Sequence, residues 1–404
     1  MKLKKIIACL LCAGMLSSCT GNTTETTTTA AETTPAVTTQ PENTNTAISG
    51  EIRDISSMEL ISELTAGWNL GNTLDATGGS GLSSETSWGN PETTKEMMDT
   101  VKAAGFNIIR IPTTWARHLD DENNIDPEWM DRVQEIVDFT IDENTYVIIN
   151  LHHEEWNNTF IEKKDATVEK MKKVWSQIAE RFKDYDEHLI FEGQNEPRKK
   201  GTDLEWSGGD EECWEFVNAT NMAFVETVRN SGGNNAKRHL MIPGYCATSD
   251  PIGPKMIQLP ENDDKIIVSV HAYTPYGFAL SDTPSSKFSS KRKNATRDID
   301  SLAEMLETSY INNNIAVIIG ETGARNKDNL ESRVDWAGYY TARMRKSGIT
   351  CIWWDNGSVK GNGENFGLLD RRTCTWHFPE VRDAFIKGAK GEIDIENLTA
   401  DNAA

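Results

Sequence analysis

Positive charge is scarce in this sequence: 41 Lys and Arg stand against 62 Asp and Glu, for a formal net charge of −21. That balance argues against nucleic acid and anionic polymers as partners and suits a neutral ligand. The acidic residues are scattered through helical stretches, which marks most of them as solubilising surface. Beyond the N-terminal region no Cys-x-x-Cys pair occurs, and only Cys213, Cys246, Cys351 and Cys374 lie there. Nothing there spells a metal site. A body of this size buries a sufficient core without staples, so the four are expected as buried thiols, with one bridge left open. No Gly-x-Gly-x-x-Gly turn follows the first strand-like segment, which removes the usual dinucleotide signature. The apolar run at 6–16 is too short to span a bilayer as a permanent helix.

What the chain has at its start reads as an export signal, because Lys2, Lys4 and Lys5 precede that apolar run. Leu16-Ser17-Ser18-Cys19 resembles the bacterial lipoprotein box, whose cysteine is acylated. Cys19 is therefore the expected lipid anchor, and the membrane is expected as a partner only through it. Cleavage among the small residues with Cys19 incidental is the alternative, and either route implies export to the cell surface or beyond. Residues 20–50 are Thr-rich with almost no large apolar side chain, too little to offset the entropy of ordering, and read as a linker. One folded domain is expected over 51–392, as a monomer, with a tail over 393–404.

From about residue 52 to 390, short β-branched runs alternate with longer stretches of helical period, the pattern of parallel βαβ units. Strands are expected at 67–72, 108–112, 147–153, 189–197, 240–244, 266–273, 316–321 and 351–356. One intervening segment carries Val168, Met171, Val174, Ile178 and Phe182 at helical steps; another runs from a Thr93-Thr94 cap through Met97, Met98 and Val101 to Gly105, where a helix C′ glycine is wanted. Eight such units predict an α/β fold of the (β/α)8 barrel type with long loops; a doubly wound open sheet is the alternative.

The strand segments begin apolar and finish polar or aromatic, with Arg110, His152, Asn195, Glu196, His271, Tyr273, Glu321 and Trp354 in their last positions. In a barrel of this type that end is the catalytic face. Each residue alone fits a loop salt bridge; their coincidence on six strands points to a site. Glu196 and Glu321 form the pair that glycoside hydrolysis requires, one protonated to assist the leaving oxygen and one ionised to attack the anomeric carbon. Arg110 and Tyr273 are placed to stabilise an ionised Glu321, and Asn195 is a neutral donor suited to a sugar 2-hydroxyl. His271 and Tyr273, two residues apart, should both face inward and reach the same nucleophile. The two carboxyls should lie about 5–5.5 Å apart, as in retaining enzymes.

The ordered set Gly67-Trp68-Asn69-Leu70-Gly71-Asn72, Ile109-Arg110-Ile111-Pro112, His152-His153, Asn195-Glu196-Pro197, His271-Ala272-Tyr273, Gly320-Glu321 and Trp354-Asp355-Asn356-Gly357 resembles glycoside hydrolase family 5. The resemblance spans about residues 60–380, and the stretch from Glu85 to Pro91 is similar to subfamily 4, which holds endo-β-1,4-glucanases, xyloglucanases and mixed-linkage glucanases. It implies Glu196 as acid/base and Glu321 as nucleophile of a β-glucan hydrolase. It also implies Arg110, His152, Asn195, His271, Tyr273 and Trp354 as a supporting shell; His153, Asn69, Trp88 and Asn356 are further candidates for contact with substrate. The sequence departs from the family at Thr322, where Phe commonly follows the nucleophile, so the packing behind Glu321 is open.

Of the twelve tryptophans, Trp175 sits in a helical pattern and is expected in the core, while Trp88, Trp156 and Trp206 fall in loops after strands one, three and four. Either sugar stacking or plain loop packing suits these three. A metal reading of His152 and His153 with His271 lacks a third ligand and a closed set, and no cofactor or metal is expected. The competing functions are a β-mannanase on the same scaffold and a surface glycan-binding lipoprotein without catalysis.

Overall fold

The computed structural model describes residues 50–283 and 285–396. The expected signal segment with Cys19, and nearly all of the Thr-rich stretch, lie outside the described residues. Eight parallel strands close into a barrel in chain order: β1 (Ala66–Leu70), β2 (Ile108–Ile111), β3 (Tyr146–Asn150), β4 (Leu189–Glu192), β5 (Leu240–Pro243), β6 (Ile266–His271), β7 (Ala316–Thr322) and β8 (Thr350–Asp355). All eight are buried along their length, which is why they read as continuous apolar runs instead of alternating ones.

Helices return the chain between strands at Lys95–Ala104, Pro127–Thr140, Lys164–Arg181, Glu211–Arg229, Lys293–Ser309 and Leu330–Lys346, and Pro379–Ala389 follows β8. The first is capped as its sequence predicts, with Thr94 Oγ1 accepting from Met97 N at 3.3 Å and Gly105 at φ 105° just past its end. The fifth unit departs from the pattern. Between β5 and β6 only a 3-10 turn, Tyr245–Ala247, and one α-helical turn, Gly253–Met256, form, because Pro251, Pro254 and Pro260 deny a longer helix its amide donors.

Two apolar clusters matter for the site. Leu189, Phe191, Trp175, Phe224 and their neighbours fill the layer between barrel and helices, with Trp175 fully buried and its Nε1 donating to Gly193 O at 3.0 Å. Gly193 follows β4 directly beneath Phe224, whose ring would lie 2.5 Å from any Cβ placed there, so only glycine lets the chain run on toward Glu196. Inside the barrel, Ile108, Ile148, Ile190, Met241, Ile267, Ile318 and Ile352 meet, together with Leu60, Ile61 and Leu64 at the helix Ser57–Glu63. That helix is fixed by a Ser56/Glu59 capping box.

All four cysteines of the described residues are free thiols. Cys213 and Cys351 are buried as expected, but Cys246 and Cys374 are only half-buried, both in turns at positive φ. Among the described residues no helix is long and apolar enough to cross a membrane.

Candidate active site

Two residues beyond the isoleucine layer, the same strands present Arg110, Asn150, Glu192 and Ser269 to the interior. Arg110 is fully buried and uses its whole fork: Nε donates to Glu192 Oε2 at 2.7 Å, Nη1 to Asn69 Oδ1 at 3.0 Å and Glu321 Oε1 at 2.9 Å, and Nη2 to Asn195 Oδ1 at 2.6 Å. Glu192 also accepts from Ser269 Oγ at 2.6 Å and Asn150 Nδ2 at 3.0 Å. One cation thus stands between two buried carboxylates, with neutral donors on the remaining oxygens of Glu192, the kind of pairing under which buried charge is tolerated. With its oxygen held by Arg110, the Asn195 amide keeps its NH2 as the free donor.

Glu321, the penultimate residue of β7, lies beside register shifts on both flanks, between Val270 and His271 toward β6 and between Ile319 and Thr322 toward β8. Such irregularities re-aim a side chain, here into the cleft. Its Oε2 accepts from the Tyr273 hydroxyl at 3.0 Å. Opposite, Glu196 Oε1 lies 2.7 Å from His271 Nδ1, which is 3.6 Å from Glu321 Oε2. A carboxylate oxygen of Glu196, one of Glu321 and a His271 ring nitrogen all lie within 4.8 Å of one another.

Burial pushes the Glu321 carboxyl up from its ordinary value, with the Glu196 charge adding to the push and His271 and Arg110 opposing it. Burial acts on Glu196 in the same sense, but the hydrogen bond and charge of His271, with Arg198, outweigh it and hold Glu196 low. His271 is itself raised, since the two carboxylates overcome its desolvation. The Tyr273 hydroxyl is raised well above the ordinary phenol value by burial beside the Glu321 and Glu196 charges, and stays a donor.

His152 and Trp354 lie with parallel rings, 3° apart in plane and 5.8 Å between centroids. Asn150 Nδ2 approaches His152 Nδ1 at 3.1 Å; as Nδ2 is a donor, Nδ1 accepts and the ring proton sits on Nε2. Burial keeps His152 and His153 neutral, the latter down to about 4. His153 lies against Trp88, 42% exposed, with ring centroids 5.6 Å apart. The third candidate ligand missing from the sequence reading is Asp75, whose Oδ2 is 3.9 Å from His153 Nε2 and has no hydrogen-bond partner. Burial drives Asp75 up to about 7. A cavity of about 230 Å³ opens among Trp88, His152, His153, Asn195, Glu196 and Arg198.

Several expectations need correction. His152, Asn195, Glu196 and Tyr273 stand two to four residues past their strands, in the loops that follow. His271 and Tyr273 do not serve one carboxylate alike, because the shorter contact of His271 goes to Glu196. Asn69 faces Arg110, its Nδ2 spent on Gly320 O at 2.9 Å and Trp353 O at 3.2 Å. Asn356 closes its own loop, donating to Glu364 O at 2.6 Å and accepting from Ser358 N at 3.1 Å, so neither asparagine offers a free group to sugar. Thr322 donates to Ala272 O at 2.7 Å, and Phe366 and Trp353 supply the aromatic packing beside Gly323. Trp156 is tied down by Glu154 Oε2 at 2.6 Å, whereas Trp206 is 65% exposed over the Arg198 guanidinium. Glu192 and Arg198 went unrecognised; Glu192 sits in a strand run with no motif, and Arg198 follows Asn195-Glu196-Pro197 as an ordinary loop cation.

Comparison with known proteins bears on the family and the fold. Residues 72–360 match the family described as Cellulase (glycosyl hydrolase family 5). Endoglucanase B of Ruminococcus albus is 50% identical over 340 residues, 83% of this chain and 82% of that protein. Among solved structures, a subfamily 4 broad-specificity endoglucanase from Ruminococcus champanellensis with bound cellotriose superposes with a TM-score of 0.81 at 43% identity, covering 84% of this chain and all of that one. A xyloglucan-specific endo-β-1,4-glucanase from a metagenomic library, also in complex with cellotriose, gives 0.78 at 42% identity, covering 82% and 98%.

Proposed function

This chain belongs to glycosyl hydrolase family 5, the cellulases, and from that premise we propose that it cleaves internal β-1,4 bonds of β-glucans with retention of configuration, Glu196 acting as acid/base and Glu321 as nucleophile. The observation that carries the mechanism is the approach of the two carboxylates. With oxygens within 4.8 Å of each other they leave no room for a water between nucleophile and sugar, as an inverting enzyme would need. Glu321, oriented by Arg110 and Tyr273, attacks the anomeric carbon; Glu196 protonates the departing oxygen and then takes a proton from the water that opens the glycosyl-enzyme.

In the resting protein the proton lies nearer His271 than Glu196. The 2.7 Å hydrogen bond between them is the path by which Glu196 receives it, leaving a neutral imidazole. Activity is then lost as pH falls through the raised Glu321 value and as pH rises through the raised value of the His271–Glu196 pair, a bell whose acid limb stands above the ordinary carboxylate range.

Cellulose derivatives, mixed-linkage glucan and xyloglucan are the proposed substrates, since the relatives include a broad-specificity endoglucanase and a xyloglucan-specific one. Trp88 and Trp354 are the proposed stacking surfaces, and the free NH2 of Asn195 the proposed donor to the sugar 2-hydroxyl. The N-terminal segment is proposed to export the enzyme and to hold it at the cell surface through acylated Cys19. Product analysis on those glucans and on mannan tests the substrate reading, which fails if mannan is the polymer cleaved. Glu321→Gly should abolish hydrolysis and regain it with azide, giving a product inverted relative to the substrate. Absence of rescue in a folded variant would remove Glu321 from its role.

A further inference from the structure

We propose that Arg198 is a positioning residue that favours the ionised, proton-accepting form of Glu196 in the second half of the reaction and fixes the direction of its carboxylate, a role that rests on the acid/base assignment above. The two oxygens of Glu196 have different partners. Oε1 faces His271 Nδ1 at 2.7 Å, and Oε2 faces Arg198 Nη1 at 3.4 Å, the same nitrogen donating to Glu196 O at 3.0 Å. His271 can give up a proton and Arg198 cannot, so the first partner suits the acid form and the second suits the base form.

The guanidinium is held from two further sides. Its Nε donates to Glu205 Oε1 at 3.2 Å, its carbon lies 4.4 Å from the centre of the Trp206 ring, and Glu205 is anchored in turn by Gly201 N at 2.7 Å. The surrounding loop is pinned by the Tyr245 hydroxyl, which accepts from Lys199 N at 2.9 Å and donates to Leu204 O at 2.7 Å. Trp206 shields the cation from water, which strengthens its reach onto Glu196. The other titratable groups facing Glu196 are His271 at the end of β6 and Tyr273 beyond it, Glu321 on β7, His153 after β3, Cys246 after β5 and Glu364 in the β8 loop. Among these, only Arg198 is a permanent cation.

In deglycosylation a water oxygen bonds to the anomeric carbon, the bond from that carbon to Glu321 breaks with its electron pair returning to the carboxylate, and the water proton passes to Glu196. A cation beside Glu196 before that transfer raises the population able to accept the proton. It opposes the acid role of the first step, which the His271 hydrogen bond supplies.

The test is Arg198→Ala assayed on an aryl β-cellobioside with an activated leaving group and on a β-glucan. Because the aryl group departs without a proton, the second step limits turnover. kcat should fall about tenfold and KM with it, leaving kcat/KM nearly unchanged, with a burst of phenol. On β-glucan the alkaline limb should move to higher pH, because a charge that lowers the Glu196 pKa is gone. Arg198→Lys should restore the limb and part of kcat. Glu205→Gln, which loosens the guanidinium and keeps its charge, should lower kcat by a smaller factor in the same direction. An unchanged kcat on the aryl substrate, or equal losses in kcat and kcat/KM with the alkaline limb unmoved, overturns the proposal. Glu196→Ala on the same aryl substrate separates the two readings: if azide does not accelerate its turnover, the acid/base assignment itself fails, whatever Arg198 does.

Discussion

Where the strands enter the barrel, Ile108, Ile148, Ile190 and Ile267 meet beneath the helix Ser57–Glu63; two residues further along the same four strands stand Arg110, Asn150, Glu192 and Ser269. A strand returns to the same face every second residue, so these layers are separated by only about 6–7 Å. The lower one is held by burial of apolar surface, which is non-directional and tolerant of repacking. The upper one is held by one guanidinium, two carboxylates and the neutral groups that satisfy them, where losing any member leaves charge unpaired in a dry interior. The fold therefore stores its stability at one end and its chemistry at the other, and the two ends should fail differently.

Arg110→Met attacks the upper layer most severely. It leaves Glu192 and Glu321 without their cation, should cost about 3–5 kcal/mol of stability, and should lower kcat/KM by at least about a thousandfold. A variant that unfolds at the wild-type temperature would erase the distinction between the layers. Ile148→Ala attacks the lower layer, with an expected loss of about 2–5 kcal/mol and kcat within about twofold of wild type below the melting transition. A collapse of kcat in the folded variant would mean the layers are coupled. Tyr273→Phe removes one donor to Glu321; steady-state kinetics should show kcat down roughly tenfold with KM little changed. A rise in KM alone would make Tyr273 a sugar contact.

The smallest effect expected is on stability alone. Asp75, raised to about 7 by burial, favours the folded state fully below the ordinary Asp value and loses that advantage as pH climbs from about 4 to 7. The Tm of Asp75→Asn should thus gain on wild type across that interval, by a few degrees, and run parallel above it. A constant offset at all pH values would place the Asp75 carboxyl in contact with water.

The barrel was legible because its strands are buried on both faces and its punctuation is local: the Thr94 cap, Gly105 and the proline-free helical patterns each state their structure within ten residues. The meeting of Glu196 and Glu321 was legible through the ordered motifs around them, although Glu196 stands four residues past β4. Glu192 was not, because its importance lies in Arg110, Asn150 and Ser269 meeting it from three other strands, a matter of barrel closure and stagger that no single segment encodes. Asn356 misled for the opposite reason, since its motif is intact while its amide is consumed by Glu364 and Ser358 nearby. The short helix after β5 was foreseeable from Pro251, Pro254 and Pro260, had proline been weighed against the repeating pattern.

The proposed retention of configuration rests on Glu196 and Glu321 standing too close for an intervening water, and the first product formed reports on it directly. Proton NMR during the opening minutes of β-glucan hydrolysis, before mutarotation mixes the anomers, should show the β-anomer of the new reducing end accumulating first. Initial accumulation of the α-anomer would demonstrate inversion and contradict direct attack by Glu321.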